Sequence, residues 1–303
     1  MTLAIATILA KNYLAHARVL AQSLRRHHPG VPFLALLIDD PAGCFDPPLE
    51  PFEIVALPPP RSQRTMKELA AATKPAALQL LLDRGFTSAV FLDPDILVRA
   101  SLDGLFAMVA SHAVTLTPHL LAPLAGPGRV ARELNILQSG TFNAGFIGVT
   151  ESASARRFLG WWRERVTGDC EYDVGAGVYY DQRWLDLAPV FFEDVFVVRD
   201  AAYNVAHWNL PERALAAARF VHFSGFDPER PSRVTRYSGR VEAESLGAGA
   251  QLFADYAALL HAAGYREATR WVPRRKRDQE VASNDREVAS NDREVASNAR
   301  TRA

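Results

Sequence analysis

Apolar residues fall along the chain in short continuous runs, separated by stretches where they recur every three or four positions. LAIATIL (residues 3–9) reads as a buried strand, residues 13–28 as an amphipathic helix and VPFLALLID as a second buried strand, which together make a βαβ opening. Strands that are apolar on both faces need a sheet covered by helices on either side, so the expected class is α/β. Asp39 and Asp40 end the second strand, and a proline-rich excursion over residues 41–60, with Pro58-Pro59-Pro60, holds one short strand, FEIVAL. Next come a helix over residues 66–84, the strand SAVFLDPDILV, a helix over 102–110, the strand AVTLT and a loop-rich stretch over 118–140. TFNAGFIGV follows as a strand, then a helix over 153–166 carrying Trp161 and Trp162, the segment DQRWLDLAPVF, the strands VFVVRD and FVHFSG, and a last helix over 250–263.

The pattern changes in kind at Arg274, where the chain reads RRKRDQ and then EVASNDR, EVASNDR, EVASNAR. Val and Ala are adjacent in each copy, so the repeat cannot form the spaced seam of a coiled coil. It is expected to be a polar, disordered extension over residues 274–303. Residues 1–273 are then one domain. Composition adds exclusions: 34 Lys and Arg balance 34 Asp and Glu among 303 residues, which argues against nucleic acid as the main partner. Cys44 and Cys170 are too far apart for a CxxC site and too few for a disulfide framework, as in a reducing, cytoplasmic protein. Lys11, His16 and Arg18 interrupt the apolar start, and no apolar run reaches the roughly 18–20 residues of a membrane span, so a soluble protein is expected.

Asp93-Pro94-Asp95 carries the clearest chemistry. Two carboxylates at i and i+2, at the carboxyl end of a buried strand, face the crevice where open α/β sheets bind ligands, and their hard oxygens suit a divalent cation. A solvated strand end is the plain alternative reading of the same residues.

Further segments extend the pattern. Lys74 in ATKPAALQLLL, the DPD strand, Phe142-Asn143-Ala144-Gly145-Phe146, Asp181-Gln182 and His222 in VHFSG resemble, in order and interval, the GT-A glycosyltransferases of family 8. Those include glycogenin-like and lipopolysaccharide galactosyltransferase-like enzymes. The opening ATILAKNYLAHARVLAQSL is similar to their first strand and helix, with Asn12-Tyr13 matching an Asn-Tyr pair, and the resemblance runs from about residue 3 to about residue 228. It implies a Rossmann-like GT-A fold with a mixed, mostly parallel central sheet flanked by helices, residues 1–118 forming a nucleotide-binding half and 119–273 an acceptor-side half. Asp93, Asp95 and His222 would hold Mn²⁺ or Mg²⁺. Ala6, Thr7, Asn12, Asn143, Gly145 and Gly225 would line the site of a nucleotide-sugar donor, and Lys74, Asp181 and Gln182 would act at its diphosphate and sugar. Read alone, Gly145 relieves packing in a strand, Asp181 caps a helix and Lys74 is a solvated lysine at a helix start.

The sequence also departs from the family. Asp227 in HFSGFDP stands where a lysine steadies the diphosphate, leaving Arg230 or Arg233 as candidates, and Lys11 replaces an acidic residue near the nucleobase, so uridine is not assured. The resemblance implies retention, by same-face attack in which the leaving phosphate takes the acceptor's proton; inversion would need a carboxylate base, for which Asp173 and Asp181 are candidates. Tyr172, Tyr179, Tyr180, Trp184, Tyr203, His207 and Trp208 lie in the acceptor half, where Tyr179-Tyr180 and His207-Trp208 are the candidate walls for a glycan or lipid-linked acceptor. The basic stretch bounded by Arg266 and Arg277 suits peripheral contact with an anionic membrane. Two other readings stay open: a haloacid-dehalogenase-type phosphatase using the Asp-x-Asp pair, and a degenerate sugar-nucleotide-binding protein.

Overall fold

A computed structural model describes residues 2–57, 64–238 and 241–271. Pro58-Pro59-Pro60, the repeat tail and the basic stretch beyond Trp271 lie outside the described residues. The strands are β1 (Leu3–Leu9), β2 (Phe33–Leu37), β3 (Glu53–Ala56), β4 (Ser88–Leu92), β5 (Ile96–Val98), β6 (Val114–Pro118), β7 (Phe142–Thr150), β8 (Tyr172–Asp173), β9 (Val178–Tyr179), β10 (Val195–Val197) and β11 (Phe220–His222). Seven of them form the main sheet in the order β10-β6-β7-β4-β1-β2-β3. Only β7 runs against its neighbours, so the sheet is mixed and mostly parallel.

Helices cover both faces, as the doubly apolar strands require. On one side α2 (Met66–Asp83) and α5 (Ala153–Gly168) bury Leu78, Leu81, Phe158 and Trp162 against Ala6, Phe91 and Ile147. On the other, α1 (Leu14–His27) and α3 (Asp103–Ser111) press Leu20, Leu105 and Val109 onto Ile5, Val90 and Phe146. α2 starts at a capping box: the Thr65 hydroxyl accepts from Glu68 N (3.2 Å), and Thr65 N donates to the Glu68 carboxylate (2.8 Å).

Two segments differ from the sequence pattern. SAVFLDPDILV is two strands, because Pro94 has no N–H to continue the ladder; β5 leaves the main sheet and pairs antiparallel with β11. The stretch over residues 118–140, expected to be loop, contains α4 (Arg129–Ser139), with Gly128 (φ 73°) and Gly140 (φ 109°) at its ends. The remaining described α-helices are α6 (Ala188–Phe191), α7 (Ala250–Ala262) and α8 (Tyr265–Ala268); Tyr256 of α7 stacks on Phe223 just past β11, with ring centroids 3.8 Å apart.

Candidate metal centre and its cavity

Backbone hydrogen bonds bring the triad together. Asp93 N donates to Gly145 O (2.9 Å), tying the end of β4 to β7, while the β5–β11 register sets His222 opposite Ile96 and Phe223 N donates to Asp95 O (2.9 Å). One ligand atom from each of Asp93, Asp95 and His222 then falls within 4.8 Å of the others. His222 Nε2 lies 3.1 Å from Asp95 Oδ1 and 3.8 Å from Asp93 Oδ2. Adjacent ligands of a cation with bonds of about 2.1 Å stand ~3 Å apart, so these separations fit a shared ion. Desolvation raises the Asp93 carboxyl above its usual range; half-buried Asp95 feels the same effect, but the charge and hydrogen bond of His222 hold it below. Burial alone would lower His222, and Asp95 outweighs it, leaving the imidazole above its usual range.

Asn143 decides which nitrogen of His222 faces the carboxylates. Its Oδ1 accepts from Gly145 N (3.0 Å) and from Asn204 Nδ2 (3.0 Å), and it lies 3.2 Å from His222 Nδ1. An oxygen in that place can only accept, so Nδ1 carries a proton; without an ion Nε2–H donates to Asp95, and a metal would take the place of that proton on Nε2. Mixed carboxylate and imidazole ligation suits Mn²⁺ better than Mg²⁺. Gly145 makes room for this ring: a Cβ there would stand 2.6 Å from His222 Nδ1 and 2.8 Å from Asn143 Oδ1.

Lys74 is not a solvated lysine at a helix start. It is buried within α2, and its ammonium donates to Ala144 O (3.0 Å), with Asp93 Oδ1 at 3.4 Å and Asp181 Oδ2 at 3.2 Å. Burial would lower this amine, but the two carboxylates outweigh it and keep it charged. Removing one partner of such a buried pair costs roughly 3–5 kcal/mol, so Lys74 holds the site together as well as charging it. Asp181 caps no helix: its carboxylate turns inward to Lys74, burial raises its pKa, and its carbonyl accepts from Trp162 Nε1 (3.0 Å). The Gln182 amide is locked, Oε1 accepting from Asn143 Nδ2 and Ala144 N (3.1 Å each) and Nε2 donating to Ser139 O (2.8 Å).

These groups open into a cavity of about 600 Å³, walled by Tyr172, Tyr179, Tyr180, His207, Trp208 and one side of α4. Both candidate aromatic pairs therefore face it, whereas Trp184 and Tyr203 do not line it. Other residues expected at the donor site do not line this cavity. Ala6 and Thr7 are fully buried within β1, and Asn12 sits just past the strand with its Oδ1 unpartnered. Gly225 adopts φ 71° and lets the Tyr237 ring approach, since a Cβ would meet Tyr237 Cδ2 at 2.6 Å. Arg230 pairs with Asp227 at 4.0 Å, and neither it nor Arg233 lines the cavity. Asp173 accepts from Ala176 N in a hairpin turn and is no part of the wall.

A buried polar network behind the triad gave no signal in the sequence. Asn204 donates to Thr117 Oγ1 (2.8 Å) as well as to Asn143; Asn209 donates to His119 O (3.2 Å) and Asn204 O (3.0 Å); Arg213 donates to Tyr203 O (2.8 Å) and Pro118 O (3.0 Å).

No family model matches the sequence. The chain is 24% identical over 252 residues to the uncharacterised protein YfnF of Bacillus subtilis strain 168, covering 75% of this chain and 82% of YfnF. It is 27% identical over 182 residues to the uncharacterised protein YfnD of the same organism, covering 55% of this chain and 56% of YfnD. The crystal structure of the glycosyltransferase GlyE from Streptococcus pneumoniae TIGR4 superposes with a TM-score of 0.51 at 14% identity, over 88% of this chain and 64% of GlyE. The chain thus spans little more than half of YfnD and under two thirds of GlyE. With a 3-2-1-4-7-6-10 strand order and the Asp-Pro-Asp turn at the end of β4, this chain has the GT-A fold found in glycosyltransferases.

Proposed function

We propose that the protein is a divalent-metal-dependent glycosyltransferase that moves a hexose from a nucleotide-diphosphate sugar, a UDP-sugar by resemblance, to a glycan or lipid-linked acceptor with retention. One observation carries this reading: Asp93 and His222 of the Asp93, Asp95 and His222 cluster line the same cavity as the Lys74–Asp181 pair and the locked Gln182. A bound Mn²⁺ or Mg²⁺ supplies Lewis-acid stabilisation of the departing diphosphate.

The chain's own groups do the rest. Lys74 places a fixed charge beside Asp93, a preorganised field for negative charge developing on the leaving group. The Gln182 amide has both ends engaged and is a poor nucleophile. Among the described residues, Asp93 and Asp181 are the carboxylates on the cavity wall, one assigned to the metal and the other to Lys74. Neither is an unengaged base, which favours same-face attack: the acceptor oxygen bonds to the anomeric carbon as the sugar–phosphate bond breaks, and its proton passes to the leaving phosphate. The aromatic walls offer faces for sugar rings. Among the described residues no helix is long and apolar enough to cross a membrane, and a cytoplasmic enzyme acting at a membrane's inner face is the setting we propose. The GT-A sheet order sets the phosphatase reading aside. Asp227 keeps the non-catalytic binding reading as the alternative.

Incubation with a panel of sugar nucleotides and Mn²⁺ tests the proposal. Release of nucleoside diphosphate that Asp95→Ala abolishes is the expected result. Mn²⁺-dependent binding with no turnover supports the non-catalytic alternative, and absence of binding to any donor overturns both.

A further inference from the structure

Charge in the cavity is unbalanced once a donor is considered. A divalent cation matches the carboxylates of Asp93 and Asp95, and Lys74 matches Asp181. His119 and His207, on the same wall, are pushed down by burial to about 4 and about 3 and carry no charge at neutral pH. The diphosphate of a sugar nucleotide brings two more negative charges, and a third develops as the sugar leaves. Among the described residues lining the cavity, the other cations are Lys67 and Arg132.

Their positions separate them. Arg132 sits on α4, which contributes no member of the triad. Lys67 lies in the first turn of α2, seven residues before Lys74 and on the same helix face. Its ammonium stands 4.6 Å from the Tyr180 ring centroid and 5.5 Å from that of Tyr237. Tyr180 directly precedes Asp181, and Tyr237 is seated against Gly225, three residues beyond His222. The ammonium therefore lies between the segments that deliver Asp181 and His222. Tyr180 is held at φ 50°, a conformation costing of order 1–3 kcal/mol for a non-glycine residue, and such strain is characteristic of functional sites. Cation–π contacts of ~0.5–2 kcal/mol hold the ammonium against the two rings.

We propose that Lys67 is the cation that meets the donor diphosphate, a role that Asp227 cannot fill. The inference rests on the reading of this site as a sugar-nucleotide site. Four residues from separate segments thus act together: Gly225 admits Tyr237, Tyr237 with Tyr180 cradles Lys67, and Lys67 faces the phosphates.

The test uses the full chain with Mn²⁺ and compares UDP with UMP by calorimetry, running the ADP, GDP and dTDP pairs alongside. Lys67→Ala and Lys67→Gln are expected to weaken the diphosphate about 10- to 100-fold while changing the monophosphate less than about threefold, as for loss of a charge-assisted contact. Lys67→Arg should restore most of the preference, and Mn²⁺ affinity alone should not change in any variant. An unchanged preference for diphosphate over monophosphate in both neutral variants overturns the assignment of Lys67 alone. A wild-type chain that binds no nucleoside diphosphate overturns the sugar-nucleotide reading and this inference with it.

Discussion

At the scale of single residues, the site turns on one amide. Asn143 cannot flip, because Gly145 N must donate to its oxygen, and that oxygen in turn fixes the tautomer of His222. Loss of such a second-layer partner typically costs 10–100-fold in metal affinity. Asn143→Ala is therefore expected to weaken Mn²⁺ about 10- to 100-fold, and Asn143→Asp, which keeps an acceptor, to weaken it less. Calorimetric titration checks this, and equal Mn²⁺ affinity in wild type and Asn143→Ala would remove Asn143 from the metal site. The sequence showed these residues unevenly. Asp93 and Asp95 stand out because paired carboxylates after an apolar strand break the hydrophobic pattern. His222 lies between apolar neighbours and stood out only through resemblance. Asn204, Asn209 and Arg213 were silent, since single polar residues in irregular segments carry no period; only the contacts made in the folded chain reveal them.

At the scale of elements, β7 and the β5–β11 pair build the centre between them. The pairing of β7 with β6 jumps between Leu116, opposite Ile147, and Thr117, opposite Asn143, so residues 144–146 form an irregularity in the ladder. Gly145 lies in that irregularity, and the His222 ring occupies the space a side chain would need. Gly145→Ala must then push β7 and β11 apart or rotate the imidazole away. Its Mn²⁺ affinity should fall to that of His222→Ala, measured by the same titration; wild-type affinity in Gly145→Ala would show that the ring has room to spare. Pattern reading located β7 but not its irregularity, because period-2 alternation is invisible in a strand apolar on both faces. It also missed α4. Val130, Leu134 and Leu137 recur at helical spacing but face solvent, and no residue of the helix is buried, so the segment reads like a loop between its glycines.

At the scale of the whole molecule, the buried histidines tie folding to pH. His16 and His119 are pushed down to about 4 by burial, so between that value and their ordinary pKa near 6.5 the unfolded chain binds protons that the folded chain does not. Each then contributes stability that is present at neutral pH and lost on acidification. Asp93 and Asp181, raised by burial, and His222, raised by Asp95, act in the opposite direction: the folded state holds their protons more tightly, and their contribution declines as pH rises. The sum is a balance, so the informative quantity is the difference made by one group. His119 is nearly inaccessible and holds no metal, and a glutamine in its place can still accept from Asn143 Nδ2, which lies 3.3 Å from His119 Nε2. Between pH 8 and pH 5 the wild-type chain should lose about 2 kcal/mol of unfolding free energy relative to His119→Gln. Urea unfolding of both proteins in EDTA at the two pH values measures this, and parallel pH dependences would mean that His119 titrates in the folded protein as it does in water.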